Sequence, residues 1–119
     1  MAKTILAVDD DHKIVLLLKT YLSEHGYHVV GAYNGDEAIE KAQSLNPDLI
    51  IMDVSMPNMD GDDAYIYLRS QEATKDIPVI FLTGLRSEEE IKEKGEDNVI
   101  AKPAKLEDLL AKVKQFIRK

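Results

Sequence analysis

The chain has 119 residues, 45% of them hydrophobic, no cysteine, and 22 acidic against 15 basic residues for a net charge of −7. That size fits one domain over residues 1–119, and the missing cysteines exclude disulfides, thiol catalysis and zinc–thiolate sites. With no apolar run near the roughly 20 residues of a membrane helix, no signal peptide and no basic patch for nucleic acid, the expectation is a cytoplasmic protein that meets a protein partner or a metal cation.

Two periodicities alternate along the chain. The run TILAV (4–8) reads as a strand. Ile14, Leu17, Leu18, Tyr21 and Leu22 then recur at helical spacing, and Gly26 closes that helix. YHVVGA (27–32) is a second strand. A second helix starts at Asn34 or Gly35, carries Ala38, Ala42 and Leu45 on one face, and stops at Pro47. DLIIM (48–52) is strand three, followed by a loop to Gly61 and a helix over about 62–71. PVIFLT (78–83) is strand four. Ser87 and Glu90 form a capping box for a fourth helix, NVIA (98–101) is strand five, and Leu106, Leu109, Leu110, Val113 and Ile117 make the inward stripe of a last helix.

The strands are continuous apolar runs, which is the pattern of a parallel sheet covered on both faces. Right-handed crossovers leave a doubly wound α/β fold. The fourth helix offers one large apolar residue, Ile91, to pack. Helices are held mainly by an apolar face, so this one is expected to be short and the least ordered.

Sites in such sheets form beyond the carboxyl ends of the strands. There strand one delivers Asp9, Asp10 and Asp11, strand three Asp53, strand four Thr83-Gly84, and strand five Lys102-Pro103. Clustered carboxylates repel one another unless a cation joins them, and magnesium takes carboxylates together with phosphate oxygens. Lys102 and Thr83 suit the oxygens of a phosphoryl group, and Gly84 permits close backbone approach. The set reads as Mg²⁺-dependent phosphoryl transfer onto an aspartate. Asp53 alone would be a strand-end cap, and Asp11 is a better cap for the first helix than a metal ligand.

Asp9-Asp10 after ILAV, Asp53 in IIMDVSMPNMDG, Thr83-Gly84 after VIFL, and Lys102-Pro103 resemble the receiver domain of two-component response regulators, the CheY-like fold. The resemblance spans essentially the whole chain. It implies a sheet of order 2-1-3-4-5. It makes Asp53 the phosphoacceptor, with Asp9, Asp10, Asp53 and the carbonyl of Ser55 around Mg²⁺. Lys102 and Thr83 then meet the phosphoryl group, and the Lys102–Pro103 bond is cis. The implied donor is a histidine kinase, a phosphotransfer protein or a small acyl phosphate. Output to an unknown protein target passes through the face formed by the fourth helix, fifth strand and last helix. The module is expected not to turn over a separate substrate, and to be a monomer or a weak phosphorylation-dependent dimer, either stand-alone or cut from a longer regulator.

One departure is Val99, where the family often has Tyr or Phe as a rotating partner to the threonine; a valine has no ring to swing. Ala104 also stands where Phe is common. Two other functions compete: a haloacid-dehalogenase-type phosphohydrolase with Asp9 as nucleophile and Asp11 as acid, and a binding-only pseudo-receiver. Lys13 breaks the motif of the first. NMDGDD (58–63) fails as a calcium loop, because Met56 and Tyr67 hold places that need acids. His12, His25 and His28 share no metal-site spacing and read as surface residues.

Overall fold

The computed structural model describes residues 2–56 and 59–117. Asn58, the first residue of the calcium-like hexad, lies outside them. The order is β1 (Thr4–Val8), α1 (His12–Glu24), β2 (His28–Ala32), α2 (Gly35–Leu45), β3 (Leu49–Asp53), α3 (Gly61–Ser70), β4 (Val79–Thr83), α4 (Glu88–Lys94), β5 (Val99–Ala101) and α5 (Leu106–Ile117). All strands pair in parallel, in the order β2-β1-β3-β4-β5.

The period-two alternation of the strands divides the core in two. Leu6 and Val8 of β1, with Ile50 and Met52 of β3, pack on one side with Ala38 and Ala42 of α2, Ala64 and Leu68 of α3, and Ile91 of α4. Ile5 and Ala7, with Leu49 and Ile51, pack on the other side with Leu18 and Leu22 of α1 and Leu109 and Val113 of α5. This explains why β1 and β3 read as unbroken apolar runs: both faces are covered. Fully burying one such side chain is worth about 1.5–3 kcal/mol.

Two expected inward residues point elsewhere. Leu17 is 52% exposed, because the buried line of α1 runs through Val15, Leu18 and Leu22 and a residue beside it on the helix lies about a quarter turn away. Leu45 is 47% exposed. It is the last residue of α2, and the left-handed Asn46 (φ 48°) turns the chain off toward β3. Asp11 caps α1 by accepting from the Lys13 amide at 2.9 Å. α4 is seven residues long, with Ile91 its one buried residue, Ser87 and Glu90 in a reciprocal capping box, and Gly95 closing it at φ 67°.

The order of the strands places the site. From β1 the chain crosses to β2 on one side and then returns to β3 on the other. The carboxyl ends of β1 and β3 therefore flank the crevice where crossovers reverse direction. Asp9-Asp10 and Asp53 stand on its two sides.

Candidate functional site

Asp9 and Asp53 are almost fully buried, at 1% and 5% exposure, and Asp10 is exposed. Their carboxylates each offer an oxygen within 4.8 Å of the others. Asp9 is held on both sides: its amide donates to the Ala32 carbonyl at 3.1 Å, and its Oδ1 accepts from the Asp11 amide at 2.9 Å. Lys102 Nζ lies 3.0 Å from Asp9 Oδ2 and 3.2 Å from Asp53 Oδ1. The lysine thus joins two carboxylates. Its own amide donates to the Thr83 carbonyl at 2.7 Å, and the Lys102–Pro103 bond is cis.

Burial pushes the Asp9 carboxyl above its ordinary value. The Asp11 amide and Lys102 oppose that shift, and the charge of Asp53 adds to it. For Lys102, burial disfavours the ammonium. Its hydrogen bonds to Asp9 and Asp53, with their charges, outweigh that and hold it above the ordinary lysine value. A cation between two buried acids is the arrangement that makes them affordable.

Thr83 is buried, and its Oγ1 accepts from the Leu85 amide at 3.0 Å. Gly84 is exposed, with nothing within 4 Å of where a Cβ would stand, so the backbone there is open to approach. Ser55 is exposed, two residues beyond Asp53. Gly61 matters for a reason the sequence did not disclose. A Cβ there would sit 2.4 Å from the Asp53 carbonyl oxygen, and the Gly61 amide donates to the Val54 carbonyl at 2.7 Å. The first residue of α3 therefore packs directly on the backbone that carries Asp53.

Asp11 does not join the acids, since its side chain is spent on capping α1. Val99 is buried beside its register partner Phe81. Phe81 in turn meets the Tyr65 ring edge-on, 5.2 Å between centroids. The three histidines are exposed; His12 stacks on Tyr33 at 4.0 Å, beside the acid-bearing loop. Sequence reasoning missed an ion pair between Arg86 and Glu96. Ten residues apart across a helix and a turn, they have no local spacing that would reveal them.

An open parallel sheet with this rim at its crossover reversal defines an α/β protein of the CheY-like receiver class. The chain belongs to the response regulator receiver domain family, which matches residues 5–114. It is 39% identical over 123 residues to the alkaline phosphatase synthesis transcriptional regulatory protein PhoP of Bacillus subtilis, covering 100% of this chain and 50% of that one. Among solved structures it resembles the receiver domain of a signal transduction histidine kinase from Syntrophus aciditrophicus, with TM-score 0.86, 38% identity, and 98% and 91% of the two chains covered. It also resembles the chemotaxis protein CheY4 of Vibrio cholerae, with TM-score 0.84, 34% identity and 98% and 99% covered. The chain spans about half the length of the curated relatives it matches.

Membership places the chain in phosphorylation-controlled two-component signalling. The dehalogenase alternative is not favoured, because the family match and the capping role of Asp11 both stand against it. Among the described residues, no helix is long and apolar enough to cross a membrane.

Proposed function

We propose that Asp53 accepts a phosphoryl group and that Lys102 and Thr83 receive its oxygens. The observation that carries this reading is a lysine ammonium within 3.2 Å of two buried carboxylates, at the end of the sheet where Thr83 and Gly84 also stand. Oδ1 of Asp53 faces Lys102, which leaves Oδ2 as the nucleophile. An electron pair on that oxygen forms the new bond to phosphorus. The bond from phosphorus to the donor breaks, and its electrons leave with an imidazole nitrogen of a histidine kinase or phosphotransfer protein, or with the carboxylate of a small acyl phosphate. The product is an aspartyl phosphate. Lys102 moves from pairing with carboxylates to pairing with phosphoryl oxygens as a point charge.

The clustered oxygens of Asp9, Asp10 and Asp53 fit a hard dication, and these residues with the Ser55 carbonyl would hold Mg²⁺. When bound, the ion supplies charge neutralisation and orientation for the phosphoryl oxygens. The rest of the signal belongs to the protein. The Thr83 hydroxyl, now accepting from Leu85, turns to donate to a phosphoryl oxygen, and the loop after β4 follows it toward the α4–β5–α5 face. On this reading the domain comprises residues 1–119, works in the cytoplasm as a monomer or weak phosphorylation-dependent dimer, and binds an output protein rather than nucleic acid.

Intact mass after treatment with acetyl phosphate tests this. The parent gains one phosphoryl group only with Mg²⁺ present, Asp53→Asn gains none, and Asp9→Asn still accepts it, more slowly. A parent that is never modified would make the chain a binding-only pseudo-receiver, and labelling that survives Asp53→Asn would move the nucleophile elsewhere.

A further inference from the structure

Arg86 immediately precedes Ser87, the N-cap of α4, and Glu96 immediately follows Gly95, its C-cap. Both terminal nitrogens of the guanidinium donate to Glu96: Nη1 to Oε1, and Nη2 to Oε2 at 3.0 Å. The pair therefore closes residues 86–96 into a ring around the helix. Glu90 of α4 and Asp62 of α3 also direct their negative charge at Arg86, so the guanidinium is drawn toward two helices and the turn after α4 at once. Seven residues with one buried side chain are too few to hold a helix by packing or propensity. A bidentate guanidinium–carboxylate pair has the geometric definition to help.

The same loop touches the phosphoryl site. Thr83 Oγ1 accepts from the Leu85 amide, and Arg86 is the next residue. If the Thr83 hydroxyl turns toward Asp53, the Leu85 amide loses its acceptor and residues 84–86 must shift. There is room for that shift. A groove of about 450 Å³ opens between α3 and β5, lined by Tyr65, Thr83, Leu85, Arg86, Glu96 and Val99. Leu85 stands at its lip, 73% exposed. Val99 cannot swing a ring into this space, so another contact must decide how far the loop moves.

We propose that Arg86 and Glu96 are positioning residues that clamp the β4–α4 loop and both ends of α4 in the unphosphorylated arrangement, and so oppose phosphoryl occupancy at Asp53. This rests on Asp53 being the phosphoacceptor. The clamp does not touch the reacting atoms. It acts through Leu85 and Thr83, and it replaces an aromatic ring as the element linking the site to α4.

The test compares the parent, Arg86→Met, Glu96→Gln, the double variant Arg86→Met/Glu96→Gln, and Asp53→Asn as a control. Each is titrated with beryllofluoride and Mg²⁺ while the Leu85 amide resonance is followed, and hydrogen exchange of the α4 amides is measured before titration. Both single variants are expected to exchange several-fold faster over Glu88–Lys94 and to bind beryllofluoride about two- to fivefold more tightly, the scale of an exposed ion pair. The double variant should change by less than the sum of the two singles in both readouts. A parent that responds while the single variants match it overturns the clamp alone. A double variant equal to the sum of the singles also overturns it, because the two residues would then act independently. A parent with no beryllofluoride response overturns the phosphoacceptor reading, and the coupling with it.

Discussion

Replacing Lys102 with methionine keeps an unbranched side chain, one atom shorter, and removes its charge. The ammonium lies 3.0 Å from Asp9 and 3.2 Å from Asp53. At an effective dielectric of about 20, each contact has a gross attraction of about 5 kcal/mol. Desolvation of all three groups cancels much of that. Removing one partner of a buried pair costs about 3–5 kcal/mol, and because a quarter of the lysine side chain is exposed, about 2–3 kcal/mol is the expected loss near neutrality. The form of the loss is diagnostic. Asp9 is already above its ordinary value, and the variant removes the lysine that opposed the shift. The variant therefore takes up a proton on Asp9 at higher pH than the parent does, and its deficit shrinks as the solution is acidified through that value. Mg²⁺ should also recover stability, by substituting one cation for another, and more in the variant than in the parent. Urea unfolding with and without Mg²⁺, near neutral and in mild acid, measures all of this. A deficit indifferent to both acid and Mg²⁺ would mean that the lysine is held by packing rather than by the charges of Asp9 and Asp53.

Asp9→Asn removes a buried carboxylate whose folded-state value lies above 3.8. Such a group contributes stability below 3.8 that is lost as pH rises through the raised value, so in metal-free urea titrations the parent should fall relative to Asp9→Asn across that interval. Lys102 is raised above 10.5, so its contribution is complete below 10.5 and disappears as pH rises through the folded value; alkaline unfolding of the parent against Lys102→Met should converge there. Gly61→Ala would force a methyl to 2.4 Å from the Asp53 carbonyl. A cost of about 1–3 kcal/mol for overpacking should appear in unfolding, together with slower modification by acetyl phosphate; a variant matching the parent in both would show that α3 can slide without moving Asp53. Leu109→Ala, fully buried against the α1 side of the sheet, should cost about 2–5 kcal/mol while leaving the sites of modification unchanged by mass.

How much could be read in advance follows from where each signal resides. The interior strands were legible because a strand covered on both faces must be apolar at every position, as Ile5 to Val8 and Leu49 to Met52 are. Helix ends were legible where a side chain within three residues does the capping, as Asp11, Asn34 and Ser87 do. The side-chain direction of Leu17 and Leu45 was not, because apolar spacing defines a broad arc of a helix and the neighbours decide which part of it is covered.

The site divides in the same way. Asp9, Asp10, Asp53, Thr83 and Lys102 were identifiable by type and by position at strand ends, since parallel strands deliver their last residues to one edge. That Lys102 bonds Asp9 as closely as Asp53, that Gly61 must be bare to let α3 lie on Asp53, and that Arg86 reaches Glu96 around a helix are matters of distance between segments far apart along the chain. Local sequence specifies which groups are present and which secondary structure they prefer, because those preferences act over a few residues. Which of those groups touch is decided only when helices and strands pack, since a contact energy of a few kcal/mol exists only at the separation that the finished fold imposes.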